Sequence, residues 1–500
     1  MCGCGNLPTG SASYSQLSAE FPGSLSSSAA PAPAFPTEAN QVPGGPSAYR
    51  IVRTLRLRNE NLPGVLGEVA TAVGRAGGNL GDIRTIQRGS RHVVRDIDVS
   101  TTDLHKLEEV LEEIRRLSHT ALLDVRDEVL RVHLGGKLQV TPKYPVHSVA
   151  DLRRVYTPGV AEVCRLISGD PAVADRYTGI NNSVAVVTDG TAILGLGNIG
   201  PVAGMPVIEG KCALMAQMVG IDAYPLLVQP GPAQAIVEAI VRISPTYGAI
   251  QLEDIAAPHC FEIAPALQDR LEIPVMHDDQ HGTATVVLAA LLRAATLTGL
   301  RLESLTAGVI GLGAAGSAIA QLLMRYQGRP ILGTGRTPDS IERLIAAGGL
   351  AVEMEELLAK ADVVIATTAQ PGLIRPEQVR PGQIIFALSN PLPEIEPERA
   401  MAAGAILAVD GAVVNNLLGF PGLYRGALDT KARCFNTEMY VAAAQAIARL
   451  AQDDEVVPDS LDPRVHLSVA RAVAREAVRT GVARVEPLSD YYDEADRSES

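Results

Sequence analysis

Tryptophan is absent from the 500 residues, and aromatic side chains make up only 4% of them. A chain so poor in rings has little with which to stack on bases. Its formal charge of −13 also denies it the basic face that phosphate neutralisation requires, so nucleic-acid binding is excluded. No uncharged apolar run reaches 18 residues, so no membrane span is expected. Neither Lys nor Arg precedes Arg50, and no apolar core stands there either, which argues against a secretory leader. The six cysteines (Cys2, Cys4, Cys164, Cys212, Cys260 and Cys434) are scattered without CxxC spacing, as reduced thiols in a cytoplasmic protein would be. Two of them, Cys2 and Cys4, make too poor a soft-metal site alone, and chance is the simpler account.

What is present is a chain 47% hydrophobic, rich in Gly, Ala, Val and Leu and long enough for about three domains. Residues 1–48 are mostly Ser, Pro, Gly and Ala and cannot bury enough apolar area to offset their ordering entropy, so disorder is expected. From Tyr49 the pattern becomes strand (Ile51–Leu57), helix (Val65–Ala76), strand (from Gly77 through Ile83), strand (Val93–Val99), helix (Leu104–Leu117) and strand (Ala121–Val125). A β-α-β-β-α-β order in about 80 residues is ferredoxin-like, an α+β domain over 49–128.

Two acidic doublets dominate the middle of the chain. Glu253-Asp254 ends the apolar run Ala249–Leu252, and Asp278-Asp279 follows Val275-Met276-His277. Short buried strands of this kind gather ligands at their carboxyl ends. Four carboxylates at one sheet edge repel unless a positive charge sits among them, and a hard divalent cation, Mg²⁺ or Mn²⁺, answers that need. Helix capping by Asp254 and Asp279 is the competing account. Lys211 stands in an apolar helical stretch, where burial should lower its pKa towards that of a base, with Asp278 as its partner; a snorkelling surface Lys is the alternative. Thr157 and Pro158 read as N-cap and first residue of a helix, which leaves the Tyr156 hydroxyl free to enter a cleft or its ring to act as a packing staple.

Two glycine motifs follow. Gly195-Leu196-Gly197-Asn198-Ile199-Gly200 matches G-x-G-x-x-G but precedes Pro201, Gly204 and Pro206, so no helix is expected after it and we reject it as a nucleotide site. A strand through Ala192-Ile193-Leu194 is expected just before it. By contrast, Gly311, Gly313, Ala314, Ala315 and Gly316 lie between a strand (Leu305–Ile310) and a helix (Ser317–Tyr326), the order a dinucleotide-binding turn requires. After the next strand, where NAD enzymes place an acid, stands Arg336. A cation there suits a 2′-phosphate and favours NADP over NAD, with Asp339 nearby as the counter-indication. Asn390 and Asn416 follow later strands and suit the nicotinamide end and a substrate carboxylate, or simply turns. A last helix is expected over Leu467–Thr480, then an acidic disordered tail over 488–500.

In combination, Tyr156-Thr157-Pro158-Gly159-Val160, Val187-Thr188-Asp189-Gly190, Glu209-Gly210-Lys211, Glu253-Asp254, His277 to Ala284, Gly311-x-Gly313-x-x-Gly316, Ser389-Asn390-Pro391 and Asn415-Asn416 resemble a malic enzyme of bacterial type. Leu62-Pro63-Gly64-Val65-Leu66 and Gly78-Asn79-Leu80 make the domain before it similar to an ACT domain. The resemblance implies an α/β architecture: an ACT-like ferredoxin fold (49–128), a malic-enzyme N-terminal catalytic domain (129–282) and a Rossmann-like NAD(P)-binding domain with a C-terminal helix (283–487). It implies oxidative decarboxylation of (S)-malate to pyruvate and CO₂ with reduction of NAD(P)⁺. Metal ligands would be Glu253, Asp254 and Asp279, and the catalytic groups Lys211, oriented by Asp278, and Tyr156. Lys211, Tyr156, Asn390 and Asn416 would meet substrate, and Asn61, Gly64 and Asp82 a small effector such as an amino acid. A homodimer or larger homo-oligomer is expected. Where some family members grip malate with an Arg before the first Gly-Leu-Gly, this chain has Thr191-Ala192. Other metal-assisted hydroxyacid or amino-acid dehydrogenases and a silent metabolite sensor are the alternatives.

Overall fold

A computed structural model describes residues 51–193, 196–390 and 392–493. The N-terminal stretch expected to be disordered lies outside them.

Strands β1 (Ile51–Glu60), β2 (Asn79–Arg88), β3 (His92–Thr101) and β4 (Thr120–Arg126) form an antiparallel sheet in the order β2-β3-β1-β4, with helices α1 (Val65–Arg75) and α2 (Leu104–Arg115) between them in sequence. Leu55 and Leu57 lie two apart on β1 and so share a face. They pack with Ile97 and Val99 of β3, Val69 and Val73 of α1, and Val110 and Ile114 of α2. Each such fully buried side chain contributes about 1.5–3 kcal/mol. The ferredoxin-like expectation holds. Strand β2 is exposed along its whole length.

Next come four short helices, α3 (Glu128–His133), α4 (Val149–Val155), α5 (Val160–Gly169) and α6 (Ala174–Tyr177), none with a buried residue. A parallel sheet follows in the order β6-β5-β7-β8: β5 (Ser183–Thr188), β6 (Asp222–Leu227), β7 (Ala249–Leu252) and β8 (Val275–His277). Helices α7 (Pro201–Val219), α8 (Ala233–Ile243) and α9 (Cys260–Arg270) connect these strands. Every residue of β5, β7 and β8 is buried. That is why these strands read as continuous apolar runs rather than alternating ones: parallel strands are covered on both faces.

Helix α10 (Thr283–Leu297) leads into a six-stranded parallel sheet in the order β11-β10-β9-β12-β13-β14. Its strands are β9 (Ala307–Ile310), β10 (Leu332–Thr334), β11 (Leu350–Ala351), β12 (Val363–Ala366), β13 (Ile384–Ala387) and β14 (Leu407–Asp410), with α11 (Ala314–Gln327), α12 (Pro338–Ala346), α13 (Met354–Lys360) and α14 (Pro397–Ala402) between them. This is the doubly wound order, whose crevice opens between β9 and β12. The chain then returns. Helices α15 (Phe420–Asp429), α16 (Thr437–Leu450) and α17 (Pro463–Arg479) join one core with residues of β5, β7 and β8. The buried Tyr424 hydroxyl donates to the Ile250 carbonyl. The boundary drawn at residue 283 is therefore crossed again by the C-terminal helices.

Three sequence expectations fail. A helix does start after Gly200: Pro201 takes its first position, where no N–H is needed, and Pro206 is carried inside it. Rejection of the first glycine motif must rest instead on its end being tied back to the turn after β5, with Ile199 and Gly200 donating to the Gly190 carbonyl. In place of a strand after Ala192, Ile193 makes a single bridge to Gly197; Leu194 lies outside the described residues. The first part of the acidic tail forms α18 (Asp490–Asp493), because Tyr491 donates to Asp429 and its carbonyl accepts from Arg471; residues 494–500 lie outside the described residues.

Candidate active site

The carboxyl ends of β5, β7 and β8 face one place, and the two acidic doublets meet there. Beyond β7, Asp254 adopts a left-handed φ of 55°, uncommon for a residue with a side chain. Its N–H donates to Asp279 Oδ2 at 2.9 Å and its carbonyl accepts from Ala192 at 3.0 Å, so partners on both sides sustain the turn. Beyond β8, Asp278–Gly282 forms a single π turn before α10. Gly282 is required within it, since a Cβ there would overlap Asp278 Oδ1. Carboxylate oxygens of Glu253, Asp254 and Asp279 all lie within 4.8 Å of one another. Glu253 and Asp254 are buried and Asp279 partly so.

Lys211 enters this cluster from the middle of α7. Its ammonium donates to Asp278 Oδ2 (2.5 Å) and Asn416 Oδ1 (3.1 Å) and pairs with Glu253 Oε1 (3.1 Å), which accounts for all three of its protons. The Phe420 ring lies 4.6 Å from it. Gln251 Nε2 donates to the other oxygen of Glu253 at 2.6 Å. The snorkelling alternative is excluded, because the Lys211 side chain is only 12% exposed.

Charge at the site is unbalanced. Burial raises Glu253 and Asp278 to about 7, against the pull of Lys211, and burial raises Asp279 as well. Burial lowers His277 and His281 to about 4, so neither contributes a positive charge at neutral pH. The expectation that Lys211 would be lowered is wrong in direction. Burial does push it down, but Asp278 and Glu253 outweigh that and raise it above its ordinary value. Lys211 is thus held as a cation, and negative charge is what the cluster has in excess. Three converging oxygen ligands with surplus negative charge fit a hard dication.

One expected member, Tyr156, lies elsewhere. Tyr156 closes α4, the residue is 67% exposed, and no hydrogen-bond partner for its hydroxyl occurs among the described residues. Nor does Pro158 start a helix. The Thr157–Pro158 bond is cis, Gly159 donates back to the Arg153 carbonyl, and α5 begins only at Val160. In the ACT-like sheet, Asn61 binds the Gly89 carbonyl and Gly64 is left-handed at the start of α1, both in the loop after β1. Asp82 lies near the opposite end, where β2 runs beside Ile97–Val99, so within one chain these three do not form one pocket. At the position of the missing Arg, Thr191 Oγ1 donates to Asp189 Oδ1 and accepts from the Ala256 N–H, which ties the strand ends together.

The second glycine motif forms a cavity of about 570 Å³ lined by Gly311, Gly313, Thr334, Arg336, Asp339, Arg343, Thr367, Thr368 and Gln370, among others. Gly311 has φ 94°, and a Cβ on it would stand 2.7 Å from the Thr367 carbonyl oxygen; one on Gly316 would overlap the Gly311 carbonyl. Gly313 has open space in front of it, just before the N-terminus of α11, where Ala314 and Ala315 form the first turn. Backbone N–H groups at such a helix start suit a pyrophosphate. Arg336 and Asp339 both line the cavity beyond β10. Asn390 is exposed at the end of the turn after β13.

Fold and site together define a dinucleotide-binding α/β oxidoreductase whose substrate domain carries a buried acidic cluster around one lysine. Family models agree: the malic enzyme N-terminal domain matches residues 135–234, the ACT domain 53–119, and the NAD-binding domain of D-isomer-specific 2-hydroxyacid dehydrogenases 277–372. NAD-dependent malic enzyme 1 of Bacillus subtilis is 51% identical over 86% of this chain and 99% of its own length. The NAD-dependent malic enzyme of Geobacillus stearothermophilus is 40% identical over 90% and 99%. The solved malic enzyme of Pyrococcus horikoshii matches with a TM-score of 0.68 at 40% identity, covering 72% of this chain and 90% of that one. The chain belongs to the malic enzyme family. Among the described residues, no helix is long and apolar enough to cross a membrane.

Proposed function

We propose that this malic enzyme oxidises and decarboxylates (S)-malate at the Lys211 cluster, with Glu253, Asp254 and Asp279 as ligands of Mg²⁺ or Mn²⁺. The observation that carries this reading is the saturation of Lys211 by Asp278, Glu253 and Asn416 beside three converging carboxylates. When bound, the ion supplies Lewis-acid polarisation of the C2 oxygen and offsets the charge that develops as CO₂ leaves, and the dinucleotide supplies the hydride acceptor. Lys211 takes the C2 hydroxyl proton, and Asp278 fixes its orientation. Two of the carboxylates that help keep Lys211 protonated, Glu253 and Asp279, are proposed ion ligands, so ion binding and release of the Lys211 proton are coupled. Asn416 and Asn390 hold the substrate carboxylate and the nicotinamide end without adding charge. Tyr156 delivers a proton to C3 after CO₂ has left.

Tyr156 does this in a second copy of the chain. From residue 121 to residue 182 no residue is buried, although Val129, Leu130, Val149, Leu152 and Val155 are apolar and at least 46% exposed. A segment so apolar and so bare is the pattern of an arm that a partner covers. The protein is accordingly a homodimer or a larger assembly of dimers. Arg336 in the cofactor cavity supports use of NADP, although the Bacillus subtilis and Geobacillus stearothermophilus relatives are called NAD-dependent. The loop of Asn61 and Gly64 is the place for a small effector, with Asp82 supplied from elsewhere in the assembly. Four free thiols (Cys164, Cys212, Cys260 and Cys434) support a cytoplasmic setting.

Mixing subunits tests the reading. Tyr156→Phe and Lys211→Ala should each be nearly inactive with malate. Co-refolded in equal amounts, they should recover about a quarter of wild-type activity, since half of randomly paired dimers carry one intact site. No recovery would contradict the shared site, and near-normal turnover of Lys211→Ala would contradict the base.

A further inference from the structure

The turns beyond β12 and β13 are joined by a group with no part in the chemistry above. Glu394 is fully buried. Its Oε1 accepts from the Thr368 N–H (2.6 Å), the Thr368 hydroxyl (2.9 Å) and the Ser389 hydroxyl (2.5 Å), and its Oε2 accepts from the Ser389 N–H (3.3 Å). All four of these bonds are accepted by the carboxyl group, and none is donated by it. Both hydroxyls give their single proton to it, so each is left free to accept. Thr368 Oγ1 takes the Gln370 N–H at 3.2 Å, and Ser389 Oγ takes the Ala369 N–H at 2.8 Å. Between these two bonds Ala369 is held at a left-handed φ of 54°, a conformation that persists only where its surroundings impose it.

These turns border the cofactor cavity. Thr367, Thr368 and Gln370 line it, and the Thr367 hydroxyl donates to the carbonyl of Gly311 in the glycine turn at 2.9 Å. On the other side, Asn390 directly follows Ser389. Its amide lies so near Gly411 that a Cβ on that glycine would stand 2.7 Å from Asn390 Nδ2. One buried carboxylate therefore ties the turn that walls the cavity to the turn that carries Asn390.

We propose that Glu394 is a positioning residue for the nicotinamide half of the dinucleotide, locking the Thr368–Gln370 turn and Asn390 against each other through Thr368 and Ser389. This rests on the dinucleotide reading given above. The adenosine half lies across the β9–β12 crevice, against Arg336 and Arg343 beyond β10, and should be indifferent to Glu394. A Gln at 394 keeps the shape but turns an N–H₂ towards the Ser389 N–H or the donors at Oε1, so at least one bond is replaced by opposed donors.

The test uses the full-length protein, with NADH or NADPH binding read from nicotinamide fluorescence and ADP or 2′,5′-ADP binding read from competition. Wild type should bind both kinds of probe; failure to bind either would overturn the cofactor reading itself. For Glu394→Gln, the reduced dinucleotide should bind about ten- to a hundredfold more weakly, as expected for lost bonds to a charged group. The adenosine fragment should stay within about twofold, since the adenosine half makes no use of Glu394. Turnover should fall while KM for malate changes little. Dinucleotide affinity within about twofold of wild type, or equal weakening of both probes, would overturn the proposal. Should that variant not fold, Thr368→Val keeps the carboxylate and removes one donor, and it should show the same selective weakening to a smaller degree; unchanged dinucleotide binding there would overturn it equally.

Discussion

Lys211→Met isolates the charge balance of the site. Met nearly matches the Lys stem in length and keeps the contact with Phe420, but it withdraws the ammonium from Asp278, Glu253 and Asn416. Removing one partner of a buried ion pair costs about 3–5 kcal/mol, because the other charge is left uncompensated. At about 2–4 °C per kcal/mol, the metal-free variant should melt about 6–20 °C below metal-free wild type. Protonation limits this loss. Glu253 and Asp278 are raised to about 7, above their values in an unfolded chain, so each can escape its charge by taking a proton. A carboxyl raised on folding favours the folded state below its unfolded pKa, and that contribution is lost as pH rises through the folded value. Loss of the Lys211 ammonium raises both carboxyls further, so the melting deficit of the variant should be smallest at acid pH, where both proteins hold these groups neutral, and should grow as pH rises above about 7. Mg²⁺ or Mn²⁺ should restore part of it, about 2.7 kcal/mol at a hundredfold excess over Kd. Malate oxidation should fall by at least about a hundredfold with or without that rescue, as loss of a general base predicts. The assays are thermal melting in EDTA and in Mn²⁺ across pH, together with malate-dependent NAD(P)H formation. An unchanged melting point in EDTA, or a deficit that added metal leaves intact, would refute the reasoning.

Other outcomes follow from the same geometry. Gly316→Ala forces a Cβ against the Gly311 carbonyl, so the glycine turn must shift; the substitution should cost about 1–3 kcal/mol, by melting, and weaken NAD(P)H binding. Asp96, paired with Arg56 at 2.8 Å and with Arg126, is held at about 2 chiefly by its bond to Arg56, so Asp96→Asn should cost the ACT-like domain about 2 kcal/mol at neutral pH. Because that pKa is depressed, the wild-type contribution is present above about 4 and fades as pH falls towards 2, which acid denaturation of the two proteins would reveal.

Periodicity made the strands legible. The runs Val184–Val187, Ala249–Leu252 and Val363–Ala366 are continuous because both sheet faces are covered, and the alternation of β1 betrays a sheet with one covered face. The acidic doublets were legible as well, because their position just past two such runs puts them at one sheet edge. Long-range balance was not. The direction of the Lys211 shift depends on Asp278 and Glu253, 67 and 42 positions away, whose fields exceed the burial penalty that sequence alone suggested. Pro201 and Pro206 disguised α7, since proline reads as a helix breaker although its first-turn position carries no cost. Glu394 was missed too: an acid amid prolines after Asn390 gives no sign that four donors will converge on it. The motif singled out Tyr156, but no local pattern announces that it will stand exposed in a segment with no buried residue.

Metal binding tests the central claim most directly. Mn²⁺ titrated into the metal-free protein, followed by the loss of its free electron-spin signal, should bind at one tight site per chain. Asp279→Asn and Glu253→Gln should each abolish that site while NADH binding persists. Equal Mn²⁺ affinity in wild type and both variants would mean that the three carboxylates converge for some purpose other than holding an ion, and the mechanism built on them would fall.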